Sequence, residues 1–110
     1  MNKLHLSFDA RNDLAEIRRY ISTELENPGA ARRTIAQITK DINILQRFAQ
    51  AGPFLSSITD IQSEYRFLTV GNYMVFYRVL GKDVYIDRVL YGRSNFLRTL
   101  LADGNETPGQ

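Results

Sequence analysis

The second half of the chain alternates apolar and polar residues with a period of two. Three segments follow this pattern, and they read YRFLTV, YMVFYRVL and DVYIDRVL. The pairs Gly71-Asn72 and Gly81-Lys82 separate them, and glycine-containing pairs are typical of two-residue β-hairpin turns. The sequence therefore predicts a meander of three antiparallel strands, and the rest of the chain must fold around this sheet.

The first half of the chain has a helical period after one short strand. KLHLSF alternates like a strand, and Asp9 offers an N-cap for a first helix, which ends at ELENPG. Asn27-Pro28 predicts a helix restart, because proline lacks only a donor that the first helical turn leaves unpaired. The second helix is expected to run through its apolar repeat as far as Phe48 or Ala49, before Gly52-Pro53.

These elements predict an α+β fold with two layers. An N-terminal strand and a helical hairpin pack on the antiparallel β-meander, and RSNFLRTLL adds a short C-terminal helix. Residues 1–101 are expected to form a single domain, and residues 102–110, ADGNETPGQ, a flexible tail. The face of the sheet away from the hairpin is expected to be partly open, concave and rich in aromatic and arginine side chains.

Composition excludes several classes of site. The chain has no cysteine and one histidine, His5, which excludes disulfides, thiolate metal sites and histidine-rich metal clusters. We therefore expect no metal and no cofactor. No segment is apolar enough to span a bilayer and MNKLHLSFDA does not resemble a signal peptide, so we expect no membrane partner and a cytoplasmic location.

The positive charge is concentrated in the body of the chain. The net charge is +2, but the last nine residues hold two of the twelve acids and none of the fourteen cations, which leaves +4 through Leu101. Eleven of the cations are arginine, which forms two-point contacts with carboxylates and phosphates. An acidic peptide or a polyanion is the expected partner.

Two-residue turns would also fix how the strands align. Arg66 would then lie across from Tyr77 and Ile86, and Arg88 across from Val75, so that both arginines share one face. Arg78 would lie on the opposite face, close enough to Asp87 for an ion pair. The simplest roles for these side chains are therefore structural: an ion pair for Arg78, and anchoring of the sheet edge or of loop carbonyls for Arg66 and Arg88.

The segment EYRFLTVGNYMVFYRV, leading into VYIDRVLYGR, resembles the RelE/ParE superfamily of toxins from bacterial type II toxin–antitoxin systems. The resemblance covers nearly the whole chain. It implies a small toxin held inactive by a cognate antitoxin. RelE-like members cleave messenger RNA in the ribosome, whereas ParE-like members inhibit DNA gyrase.

Several positions favour the ParE-like branch. RelE-like relatives carry an arginine where this chain has Met74, and a thioether cannot stabilise the developing charge on a phosphate. Leu68, Phe96 and Leu100 likewise stand where basic or proton-transferring residues are expected. A ribosome-dependent, metal-independent endoribonuclease using Arg66, Arg88 and Arg93 is the alternative, and an inactive family member is the second alternative.

The resemblance also implies a set of contact residues. Residues expected to bind the target or the antitoxin are Arg66, Arg78, Arg88, Tyr91 and Arg93. Arg93 is the strongest candidate, because it follows Gly92 at a strand end, where side chains leave the sheet. The expected partners are an antitoxin and DNA gyrase, or the ribosome and messenger RNA in the alternative.

Overall fold

A computed structural model describes residues 1–105, with side chains described through residue 102. Its sheet contains β1 (Lys3–Leu6), β2 (Arg66–Val70), β3 (Tyr73–Leu80) and β4 (Asp83–Tyr91), in the spatial order β1-β4-β3-β2. The predicted meander is confirmed, and β1 adds to it in parallel with β4. Gly71 and Gly81 have φ of 59° and 60°, the left-handed conformation that both hairpin turns require.

A β-bulge shifts the pairing in the second half of β4. Arg66 lies opposite Tyr77, and Tyr77 opposite Ile86, as predicted. Beyond that point Phe76 pairs with Arg88, so Asp87 has no partner across the ladder. The predicted pairing of Arg88 with Val75 is therefore wrong by one residue.

The helical hairpin begins at two side-chain caps. The first helix, α1 (Phe8–Arg19), is capped by Ser7, whose hydroxyl accepts the N–H of Ala10 at 2.9 Å, rather than by Asp9 as the sequence predicted. The second helix, α2 (Pro28–Ile44), is capped by Asn27, which confirms the predicted restart.

The second helix ends earlier than its apolar repeat indicated. The helical pattern predicted continuation to Phe48 or Ala49, but α2 ends at Ile44 and Phe48 is 62% exposed. Asn2, just before β1, donates hydrogen bonds to two carbonyls that follow the end of the helix. Its backbone N–H donates to the carbonyl of Gln46 at 2.7 Å, and its side-chain amide donates to the carbonyl of Leu45 at 3.3 Å. The segment that leads into β1 thus occupies the carbonyls that a further helical turn would use.

Two apolar clusters lie on the two faces of the sheet. The larger one packs Ile17, Ile38 and Ile42 of the hairpin against Val75 and Ile86 of the sheet. This packing confirms the two-layer α+β architecture.

The opposite face is more covered than expected. A third helix, α3 (Phe96–Asn105), packs Leu100 into a second cluster with Phe67, Met74 and Phe76. Phe76 is fully buried and Met74 is 8% exposed, so the expected open aromatic surface is wrong for this half of the sheet. The helix extends to Asn105, into the predicted tail, whose residues 106–110 lie outside the described part of the chain.

Candidate functional site

Arg66 is held by the loop that precedes its strand. Its guanidinium donates to the carbonyl of Gly52 at 2.8 Å and reaches that of Gln50 at 3.4 Å. The same group lies 3.9 Å from the centre of the Phe54 ring, which adds a cation–π contact. Arg66 therefore anchors loop carbonyls, which is the structural role that the sequence analysis gave as the simplest one.

Arg78 forms the ion pair that the sequence predicted. Its Nε lies 2.8 Å from Asp87 Oδ2, which also accepts the Tyr65 hydroxyl at 2.9 Å. The hydrogen bond that Arg78 donates to Asp87 raises the pKa of Arg78, with burial opposing the rise. The charge of Arg78 is therefore balanced within the sheet.

Arg88 connects the sheet to the first helix. Its Nε and Nη2 donate to the two oxygens of Asp13 at 2.8 and 2.9 Å, and both side chains are largely buried. Asp13 also accepts the N–H of Val89 at 2.9 Å. Arg66 and Arg88 are thus held by different elements, a loop and a helix, and do not converge on one cleft.

The uncovered part of the outer face carries a row of stacked side chains with carboxylate partners. His5 stacks on Tyr85 with ring centres 4.8 Å apart, and Arg78 lies 5.3 Å from the same tyrosine ring. His5 Nε2 lies 2.8 Å from Asp83, while Arg78 pairs with Asp87. Both His5 and Arg78 therefore have a carboxylate partner, and this surface offers little attraction for a polyanion.

A cleft of about 780 Å³ opens between the helical hairpin and the end of the sheet formed by β3 and β4. Its floor includes the apolar side chains of Ile17, Ile21 and Val89. Tyr20, Leu25 and Tyr91, also among its lining residues, are 48%, 55% and 44% exposed. We call this the tyrosine cleft, because Tyr20, Tyr73 and Tyr91 line it.

The three tyrosines form the cluster that gives the cleft its name. Tyr73 and Tyr91 meet edge to face with ring centres 5.8 Å apart. Burial raises the pKa of Tyr73, and the neighbouring phenols of Tyr91 and Tyr20 raise it further. The Tyr73 hydroxyl is therefore neutral at physiological pH and can both donate and accept hydrogen bonds.

Two irregularities of the backbone build this cluster. The bulge at Asp87 places Tyr91 opposite Tyr73; an unbroken ladder from the Gly81-Lys82 turn would have placed Leu90 there. On the helical side, α1 continues into a π-helical turn, Tyr20–Glu24, in which the N–H of Leu25 bonds to the carbonyl of Tyr20 at 3.1 Å. Single π-helical turns of this kind occur frequently at functional sites.

The carboxylates that line the cleft are already paired. Asp13 binds Arg88, and Glu16 binds Arg19 at 3.1 Å.

Arg33 lines an adjoining cleft of about 360 Å³ that shares Thr34, Asn72 and Tyr73 with the tyrosine cleft. Arg93 follows Gly92, whose N–H donates to the carbonyl of Asn72 at 2.7 Å. Neither arginine has a side-chain partner among the described residues.

Comparison with known proteins identifies the family. The family model described as the ParE toxin of the type II toxin–antitoxin system parDE matches residues 4–96. The chain belongs to the ParE toxin family. A solved structure described as the chromosomal ParDE toxin–antitoxin system from P. aeruginosa is similar, with 26% identity, a TM-score of 0.69, and coverage of 83% of this chain and 96% of that one. No curated protein sequence matches the chain.

The ParE match contains all the residues that line the tyrosine cleft, because these lie between Asp13 and Tyr91. Of the five predicted contact residues, Tyr91 lines the cleft and Arg93 lies next to it, while the other three are engaged in internal contacts. Sequence reasoning missed Tyr20 and Tyr73. Their signal was weak: tyrosines at the ends of predicted elements, where side chains leave the core.

None of the described helices is long and apolar enough to cross a membrane. Within residues 1–102, no three histidine, aspartate or glutamate side chains group in a way that would hold a metal ion.

Proposed function

We propose that this chain is the toxin of a type II toxin–antitoxin module, that it inhibits bacterial growth by binding DNA gyrase in the cytoplasm, and that a cognate antitoxin neutralises it. Membership of the ParE family and similarity to a ParDE system support this assignment. Antitoxin and gyrase are carried over from the family as proposals for this chain.

The observation that favours binding over RNA cleavage is the state of the arginines. Cleavage of RNA needs cations that face the developing charge of the phosphate, together with groups that transfer protons. Arg66 is held by loop carbonyls, Arg78 by Asp87 and Arg88 by Asp13. Met74 contributes to an apolar cluster beneath α3.

We therefore assign the predicted contact residues to two roles. Arg66, Arg78 and Arg88 hold the fold, and Tyr91 and Arg93 contact a protein partner. Tyr91 is 44% exposed in the tyrosine cleft, and Arg93 is exposed beside it.

Two assays with the purified protein test this function. In a DNA supercoiling assay with purified gyrase, we expect loss of supercoiling or accumulation of cleaved DNA. In a parallel assay with translating ribosomes, we expect intact messenger RNA. Transcripts cut at defined codons would contradict the proposal and favour the ribonuclease.

Induced expression in a bacterial host tests toxicity itself. We expect growth inhibition that co-expression of the neighbouring antitoxin gene relieves. Absence of growth inhibition by a soluble, folded chain would contradict the proposal and favour the inactive family member.

A further inference from the structure

We propose that two copies of this chain associate through the free edge of β1, with a two-fold axis at His5, so that their two four-stranded sheets join into one continuous sheet. The partner is a second copy of the same chain, so this association goes beyond the proposed toxin function and does not depend on it. Its basis is the geometry of β1 and of the residues at the two ends of that strand.

The two edges of the sheet differ in how the rest of the chain covers them. The edge strands are β1 and β2. The chain itself pairs with β2, because the N–H of Phe67 donates to the carbonyl of Pro53 at 3.0 Å and the N–H of Leu55 donates to the carbonyl of Tyr65 at 2.8 Å. No segment of residues 1–105 pairs in this way with the outer side of β1. An uncovered edge strand is a template for pairing with another chain.

The free backbone groups of β1 belong to Leu4 and Leu6. On the side of β4, the N–H groups of Lys3 and Ser7 donate to carbonyls of the neighbouring strand and its turn at 2.7 and 3.0 Å. Backbone groups of successive residues point to alternate sides of a strand, so the N–H and C=O groups of Leu4 and Leu6 point away from β4. The strand contains no proline, which would have blocked this edge.

An antiparallel pair of β1 strands is self-complementary in one register. With the axis at His5, Leu4 of each copy lies opposite Leu6 of the other, and each such pair exchanges two N–H···O=C bonds. An axis at Leu4 would place Leu6 opposite Asn2, whose N–H already bonds to a carbonyl after α2. An axis at Leu6 would place Leu4 opposite Phe8, which lies in α1. The axis at His5 therefore uses the most free backbone groups.

The same register covers the exposed residues at the ends of β1. Met1 and Phe8 are 83% and 80% exposed, the highest values among the large apolar side chains of the described residues. Antiparallel pairing lays the Phe8 end of each strand beside the Met1 end of the other. It also brings Asp9 close to the positively charged amino terminus of the second copy, and opposite charges favour the association.

The two-fold axis closes the assembly at two chains. Each copy uses the same strand in the contact, so no free edge of β1 is left for a third copy. The contact is small, with one short strand from each copy, and we therefore expect a weak dimer that dissociates on dilution. The tyrosine cleft is lined by residues between Asp13 and Tyr91, so the pairing of β1 leaves it open.

Single cysteines test the register, because the chain has no cysteine of its own. Across the axis, the two His5 residues form a non-hydrogen-bonded pair with Cα atoms about 4.5 Å apart, within the range of about 4.4–6.8 Å that a disulfide spans. His5→Cys should therefore cross-link two chains under mild oxidation. Lys3→Cys is the matched control on the same face of β1, because its two copies would lie about 14 Å apart along the paired strands.

Sedimentation of the wild-type full-length chain measures association without any substitution. We expect its mass to rise with concentration from that of one chain towards that of two. We also expect about tenfold more cross-linked product from His5→Cys than from Lys3→Cys. Thermal unfolding checks that both variants are folded.

A wild-type chain that stays monomeric at every concentration would overturn the inference. Equal cross-linking of the two folded variants would also overturn it, because the chains would then meet by collision or in another register. A wild-type dimer without cross-linking of folded His5→Cys would show that the copies associate through a different surface, and the β1 edge would again be wrong.

Discussion

Asp13 and Arg88 form the most protected ion pair described in residues 1–102, with 13% and 16% of their side chains exposed. Replacing Arg88 by Met leaves the Asp13 carboxylate without its cation, and we expect a loss of about 3 kcal/mol in the free energy of unfolding. The double variant Asp13→Leu/Arg88→Met should lose less than the sum of the two single variants. Urea unfolding measures all three, and strictly additive losses would contradict the pairing.

Tyr77 should make the free energy of unfolding depend on pH in the alkaline range. Its buried hydroxyl accepts the N–H of Gly52 at 2.9 Å, and burial raises its pKa. The folded state therefore keeps the phenolic proton more tightly than the unfolded state. The contribution of Tyr77 to stability should be fully present below the ordinary tyrosine pKa of about 10 and should be lost as pH rises through the folded-state value.

Tyr77→Phe tests this dependence. The variant should lose about 1–2 kcal/mol at pH 8, because the Gly52 amide loses its buried acceptor. Its stability should then decline less than that of the wild type between pH 9 and 11. Parallel declines in chemical unfolding experiments would show that Tyr77 does not carry the effect.

The helix α3 is attached to the sheet mainly by apolar packing. Leu100 is 1% exposed in the cluster with Phe76, and the Phe96 ring lies 5.3 Å from that of Phe76. Leu100→Ala should reduce the free energy of unfolding by about 3 kcal/mol, as buried leucine truncations do. Arg98→Ala, exposed on the same helix, should change it by less than about 0.5 kcal/mol. Equal effects of the two substitutions in denaturant melts would contradict this packing.

The elements that were predicted correctly are those that residues adjacent in the sequence specify. Glycines in the left-handed region set both hairpin turns, and Asn27-Pro28 set the start of α2. The end of α2 was predicted wrongly, because Asn2, more than forty residues away in the chain, binds the carbonyls that follow it.

The bulge at Asp87 depends on contacts distant in sequence. The Ser7 hydroxyl donates to the Asp87 carbonyl at 2.8 Å, and Asp13 accepts the amide of Val89 two residues further on. Both partners come from the N-terminal part of the chain, so no local pattern in β4 reveals the bulge. The pairing of Tyr91 with Tyr73 follows from this bulge. For this reason the cleft could not be predicted from the sequence, although Tyr91 and Arg93 were among the predicted contact residues.

At the scale of the whole molecule, the excess of positive charge should act on association. The body of the chain carries +4, and Arg33 and Arg93 lie near the cleft. Raising the salt concentration from 0.05 to about 0.5 M should weaken binding of the antitoxin by roughly tenfold through screening. Arg93→Ala should reduce this salt dependence, while Tyr91→Ala should leave it unchanged. Titration calorimetry at several salt concentrations measures the salt dependence of the dissociation constant for each variant. The same dependence in both variants would contradict the assignment of the electrostatic contribution to Arg93 and of the apolar contribution to Tyr91.

The parallel pairing of β1 with β4 constrains when the sheet can form during synthesis. Ser7 and its hydrogen-bonded partner Asp87 are 80 residues apart, and Lys3–Leu6 lies alongside β4. Contacts between such distant segments form late, after the intervening chain has collapsed. On the ribosome, β1 must wait until β4 has been synthesised, so a product terminated before Asp83 lacks the sheet partner of β1 and the cleft wall that contains Tyr91.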